Sequence, residues 1–201
     1  MSLSRAIWIC CVGGVIDLHI MTVDNLQAKD ELETVLQARR LLEQLTPLRR
    51  DCGRICGAAC CQADEDGQGG MLLLPLEDRL YASLPSGMRV QRDDAILPDM
   101  KLLVCDGTCN RTERPYACRV FPLTPVIESR CGKERLRVIV DPRAYAVCPL
   151  CECGVSGMDT GFAQAVLESA RILCRQEKYR EYFRALGRYF GRLRTWKEEN
   201  G

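Results

Sequence analysis

Apolar residues recur at helical spacing near both ends of this chain and form short runs in the middle. Over 24–45, Leu32, Val35, Leu36, Leu42 and Leu45 share one face, which predicts a helix with Asp24 as its cap and Pro47 marking its end. The other face carries Lys29, Glu31, Glu33, Arg39, Arg40 and Glu43 and reads as the solvated side. A second helical tract is predicted from about 161 to 196. Val166, Ala170, Leu173, Phe183, Leu186, Phe190 and Leu193 form its buried stripe, with a break expected near Gly187 or Gly191.

Between these ends the pattern is that of short strands and loops. Residues 62–70 are polar and glycine-rich and read as a loop. Its acids Asp64, Glu65 and Asp66 lack the other positions of a calcium loop, so solvation is the better reading. Residues 71–74 predict a short buried strand, and Pro75-Leu-Glu-Asp opens a short helix to about Leu84. Residues 85–100 read as mostly irregular. Strands are predicted over 101–104, 120–129 and 136–141, the last two joined by a hairpin connection at 130–133. The fold class expected is therefore α+β: a small cysteine-rich core with short strands and loops, flanked by an N-terminal helix and a long C-terminal helical segment.

Composition changes the picture in one respect. The chain has 201 residues, 47% hydrophobic and 27% charged, with a formal net charge of +1. These values are ordinary for a globular protein and give no reason to expect nucleic acid or an acidic membrane surface as a partner. Cysteine is the outlier, at fourteen residues. Ten of them fall into three clusters: Cys52, Cys56, Cys60 and Cys61; Cys105, Cys109 and Cys118; and Cys148, Cys151 and Cys153. Cys10, Cys11, Cys131 and Cys174 lie outside and carry no presumption of metal binding; Cys10, Cys11 and Cys174 read as buried small hydrophobes.

Thiolates are soft ligands for zinc and for iron–sulfur clusters, so short-spaced thiols predict bound metal. Disulfides are the alternative, but disulfide scaffolds are typically too small to build a core, whereas this chain has long apolar-periodic segments. Gly53 and Gly57 are expected to let the backbone turn sharply inside the first cluster. Cys60 and Cys61 are contiguous, and adjacent side chains diverge. One of the pair can therefore bind a first metal while its neighbour binds a second, packs, or stays free. Pro115 and Pro122 restrain the backbone around Cys118. Arg114 and Arg119 are candidates to donate hydrogen bonds to thiolate sulfurs or to hold an anionic substrate, against the plainer reading of surface ion pairs. Cys148, Cys151 and Cys153 include the two-residue gap of a metal knuckle.

The segment from Cys52 to Cys61, then Gly70-Met71, Pro75-Leu-Glu, and Cys109 followed by Arg114-Pro115 and Cys118-Arg119-Val120-Phe121-Pro122, resembles the YkgJ-type zinc- or iron-chelating domain family. The resemblance spans roughly residues 50–153. That family's motif separates its first two cysteines by two residues and leaves four before a Cys-Cys pair; both gaps here are three, which shifts Cys56 by one position. Cys52, Cys60, Cys61, Cys109 and Cys118 match position by position. Cys105 and the 148–153 cluster are assigned from local spacing. The resemblance implies metal binding without specifying a reaction.

The expected cofactor is zinc or iron, the latter including an iron–sulfur cluster of the 4Fe–4S kind, with the metal as the partner and no protein partner identified. A competing reading is a metal-dependent enzyme, since the same domain is similar to part of flagellin lysine methylases, which use S-adenosylmethionine. No glycine-rich nucleotide loop follows a strand here. A third reading, an interaction module, rests on the arginines of the C-terminal helix (Arg171, Arg175, Arg180, Arg184, Arg188, Arg192 and Arg194) and Lys178. Glu168, Glu177 and Glu181 interrupt that stripe, and a solvated face explains it better. The only histidine, His19, lies outside the clusters, so mixed Cys/His ligation is not expected.

The N-terminus carries an apolar run over 6–16. It resembles a signal-peptide core, but Asp17 and His19 interrupt it and no small-residue cleavage site follows. It is also shorter than the roughly 20 apolar residues a membrane span needs. The expectation is an N-terminal extension over 1–20 with translation starting at Met21, or an added buried strand or helix. A single cysteine-rich domain then runs over 21–201, with its metal core at about 50–153 and C-terminal helices at about 160–197, in the cytoplasm.

Overall fold

The computed structural model describes residues 23–62, 69–84, 87–107 and 109–200. The proposed extension over 1–20, the start at Met21, and the acids Asp64, Glu65 and Asp66 lie outside the described residues.

The first helix, α1 (Val23–Leu41), ends four residues earlier than its apolar pattern suggests, in a turn that leads to Pro47. Val35 and Ala38, with Leu42 just past its end, are buried. Two residues assigned to its solvated face are buried instead, Glu31 and Arg39. Each is inside because a partner meets it there. Glu31 pairs with Lys178, and its carbonyl accepts from the Tyr179 hydroxyl at 2.9 Å. Arg39 pairs with the buried Glu77. Charged groups enter a core only when so compensated.

The cysteine-bearing middle of the chain opens with a one-turn helix, α2 (Gly53–Cys56), and a 3₁₀ turn, Ala59–Cys61. Three antiparallel strands follow, β1 (Gly70–Leu72), β2 (Met88–Arg92) and β3 (Lys101–Cys105), in the order β1-β3-β2. The strand β2 falls inside the segment expected to be irregular. It pairs along the whole of β3, from Met88 opposite Cys105 to Arg92 opposite Lys101. Its pattern shows little because it is an edge strand, with no fully buried residue to set an alternation.

A short helix, α3 (Tyr116–Val120), precedes the segment expected to be a strand and takes only its first residue, Val120. The hairpin β4 (Leu123–Arg130) and β5 (Lys133–Val140) follows, with Leu123 opposite Val140. Cys131 and Gly132 form its two-residue connection, both with positive φ (52° and 73°), the combination that matches strand twist in tight hairpins.

The C-terminal tract divides into α4 (Thr160–Leu173) and α5 (Glu177–Asn200). The break falls at 174–176 and not at either glycine. Gly187 stays inside α5 for a packing reason: a Cβ there would lie 2.5 Å from the carbonyl oxygen of Ile127 on β4. The helix and strand approach as closely as they do because that side chain is missing. Leu193, expected in the buried stripe, is 38% exposed, whereas Phe183, Leu186 and Phe190 are buried as predicted. The helix α1 packs on α4, and α4 and α5 pack on the hairpin. Their apolar faces merge into one core that includes Val35, Leu42, Tyr116, Val126, Phe162 and Phe183. The architecture is α+β, with the cysteine-rich segments lying along the chain between the N-terminal helix and the C-terminal pair. Among the described residues no helix is long and apolar enough to cross a membrane.

Candidate metal centre

The first cluster turns on two consecutive left-handed residues. Gly57 (φ 63°) closes α2, and Ala58 (φ 55°) follows it. Gly53, expected to be a pivot, is instead the first residue of α2, with its N–H bonded to the Asp51 carboxylate at 3.1 Å. The Ala58 N–H returns to the Gly53 carbonyl at 2.8 Å, and the Cys61 N–H to the Ala58 carbonyl at 2.7 Å. The chain therefore doubles back, bringing Cys60 within electrostatic reach of Cys52 and Cys56.

Two groups of thiols result. In the first, Cys52, Cys56, Cys60 and Cys148 line one small cavity of about 40 Å³, walled by Leu48, Ile55, Phe121, Pro122, Val147 and Leu150. The Cys56 thiol donates to the Cys52 carbonyl at 3.6 Å. Burial raises the Cys52 pKa, with the Cys56, Asp51 and Cys148 charges adding to it. Cys151 is buried against Cys148, and burial pushes its thiol up to about 12.

In the second group, Cys61, Cys109 and Cys118 lie near Arg114, and Cys105 lies within electrostatic reach of Cys109 and Cys118. Cys105 ends β3, and the turn after it packs directly on the first cluster. Gly107 has φ 88°, and a Cβ there would lie 2.5 Å from the Cys61 carbonyl oxygen. The Arg114 guanidinium hydrogen-bonds Cys109 and sits within Coulomb reach of Cys61 and Cys118. Burial raises Cys109 while Arg114 opposes it. Burial also raises Cys118, and the thiols of Cys61, Cys109 and Cys105 push the same way. Cys61 is held at about 6, first by the hydrogen bond from Cys60 and then by Arg114, against the desolvation of its surroundings. The same hydrogen bond, with burial, raises Cys60.

Other expected site residues sit elsewhere. Arg119 makes no thiol bond in this arrangement. Its Nε donates to the Arg114 carbonyl at 2.8 Å and one Nη to the Thr112 carbonyl at 2.7 Å. On α3, successive side chains project roughly 100° apart, so Arg119 faces away from its neighbour Cys118. It helps line a separate cavity of about 360 Å³ with Arg39, Tyr81, Thr112 and Glu113. Cys153 is exposed and lies against Gly157, where a Cβ would come 2.3 Å from the Cys153 Cβ. The third cluster thus sends Cys148 toward the first group and Cys153 outward.

The pattern reading missed Glu77, which looked like an acid in the first turn of a helix. It is fully buried at the start of a 3₁₀ turn, Glu77–Tyr81. Its carboxylate accepts from the Leu74 N–H at 3.0 Å and the Tyr116 N–H at 2.8 Å. It therefore ties the end of the first sheet to the start of α3, and so to the placement of Arg114 and Cys118. The one signal available was its position inside Pro75-Leu-Glu, a segment of the family resemblance.

Among the described residues, no three His, Cys, Asp or Glu side chains are set to hold one metal ion. The sulfurs are neighbours rather than a closed coordination shell, and the twelve described cysteines are free thiols. The donor chemistry nonetheless fits a thiophilic centre. All the gathered ligands are soft, and a guanidinium stands beside them to offset thiolate charge. The Arg114 Nε is buried with no hydrogen-bond partner, a donor that an anionic sulfur centre would satisfy. Compared with family models, curated proteins and solved structures, the chain matches none.

Proposed function

We propose that this protein binds zinc or an iron–sulfur cluster through its gathered cysteines, as its resemblance to YkgJ-type domains implies. The supporting observation is the convergence of thiols from segments roughly fifty to one hundred residues apart, Cys61 with Cys109 and Cys118, and Cys52 with Cys148. Arg114 supplies the positive charge that a multi-thiolate centre needs. Zinc in such a site cross-links the loops or acts as a Lewis acid, whereas an iron–sulfur cluster carries electrons. Free thiols at this density suit a reducing compartment, the cytoplasm.

The test is anaerobic purification followed by elemental analysis and an absorption spectrum. Visible charge-transfer bands with acid-labile sulfide identify iron–sulfur; colourless protein with stoichiometric zinc identifies the other. Protein that carries neither metal, as isolated or after anaerobic loading, overturns the proposal.

A second reading, a metal-dependent enzyme, draws on the 360 Å³ cavity. Tyr81 lines it and also lies within electrostatic reach of Cys118. This reading requires saturable binding of a small substrate; calorimetry with S-adenosylmethionine showing no heat of binding removes its nearest candidate.

A further inference from the structure

Two buried arginines line one cavity. Arg39 of α1 and Arg119 of α3 are each 8% exposed, and both border the space of about 360 Å³. They converge on a single acceptor, the Thr112 carbonyl, at 3.2 and 2.7 Å. Their charges are compensated unequally. Arg39 faces the Glu77 carboxylate at 3.5 Å. Arg119 meets only the carbonyl oxygens of Arg114, Thr112 and Arg39, and among the described residues it forms no ion pair. Burial first, and then the Arg39 charge, lower its pKa, with Glu43, Tyr81 and Glu77 opposing. A cation buried beside a like charge is costly to keep until an anion joins it.

The surroundings suit such an anion. A guanidinium offers five N–H donors. Arg119 commits three of them to hydrogen bonds and Arg39 one. Leu36, Leu80 and Tyr81 supply apolar wall, and the Tyr81 hydroxyl is already engaged by the Glu113 carbonyl at 2.6 Å. The volume falls within the range of small-molecule sites. Arg40, exposed and paired with Glu33, adds a third cation to the lining. Glu43 and Glu113 line the cavity too, which disfavours a highly charged ligand and suits one with a single anionic head.

We infer that this cavity binds a small organic anion, its carboxylate or phosphate group held by Arg39 and Arg119 and its body resting on Leu36, Leu80 and Tyr81. Paired guanidinium forks match the planar or tetrahedral oxygens of such a head group. No thiol lines the cavity, so the inference does not depend on what the cysteines bind.

Calorimetry on the full chain tests it, with benzoate and phenyl phosphate as probes and benzamide as the uncharged counterpart. The expected result is saturable binding of at least one of the two anions, with a Kd of about 1 mM or tighter, and none of benzamide. Arg119→Gln weakens that binding roughly tenfold or more. Leu36→Trp, which fills the cavity and leaves both guanidiniums in place, does the same. Arg137→Gln, on the outer strand β5, leaves it unchanged. Circular dichroism checks the fold of each variant, and Leu36→Trp decides if Arg119→Gln does not fold. Binding of neither anion, equal binding of benzamide, or anion binding that a folded Leu36→Trp leaves intact overturns the inference. Metal content measured on the same samples stays at the wild-type value, so this failure and a failure of metal binding are read separately.

Discussion

Gly107 lies so close to Cys61 that a Cβ on it would stand 2.5 Å from the Cys61 carbonyl oxygen. Its φ of 88° is also a backbone conformation that favours glycine. Gly107→Ala therefore strains the backbone beside Cys61 from two causes at once. The expected outcome is a lower metal content than wild type after anaerobic loading, read by elemental analysis, with circular dichroism checking that the fold is kept.

The Glu77 carboxylate accepts from the Leu74 and Tyr116 N–H groups, and it also faces Arg39 at 3.5 Å. Glu77→Ala leaves two buried donors and a buried guanidinium without that acceptor, at an expected loss of about 3–5 kcal/mol. Glu77→Gln keeps one acceptor oxygen and loses less. Urea titration of both variants checks the order.

The two glycines of α5 have opposite expectations. Gly187→Ala drives a methyl group into the Ile127 carbonyl, and strain of roughly 1–3 kcal/mol outweighs any gain in helix propensity. At Gly191 a Cβ meets nothing within 4 Å. Gly191→Ala should stabilise by about 0.5–1 kcal/mol, since alanine loses less backbone entropy on forming a helix. Thermal unfolding of the pair side by side shows midpoints moving in opposite directions.

Asp159 caps α4 by accepting from the Phe162 N–H at 3.0 Å, and that bond, with Arg49 beside it, lowers its pKa. Its folded pKa lies below its unfolded value of about 3.9. Its contribution is therefore fully present above pH 4 and is lost as pH falls through the lowered folded value. Asp159→Ala should lower stability at pH 6, with a difference from wild type that shrinks toward pH 2. Denaturant midpoints over pH 2–6 measure it.

How much was visible in advance depended on whether local spacing carried the information. The α1 and α4–α5 faces were legible because helical periodicity records which side is buried. The hairpin was legible, with β5 reaching to Lys133, because Cys131-Gly132 is a turn written in two residues. The split between α4 and α5 was not legible, since no glycine or proline marks 174–176 and the two glycines that drew the eye lie within the helix. The edge strand β2 was hidden because its pairing to β3 buries none of its side chains completely.

The chain's own order of residues determined the α+β elements and the concentration of thiols over 52–153, since spacing and side-chain chemistry are local properties. Only the tertiary structure decided that Cys60 and Cys61 part company, that Arg114 rather than Arg119 attends the thiols, and that Cys153 faces outward. It also put Glu31, Arg39 and Glu77 inside. The physical reason is the same in each case: a charged or sulfur-bearing side chain is placed by the partner that compensates its burial, and that partner comes from elsewhere in the chain.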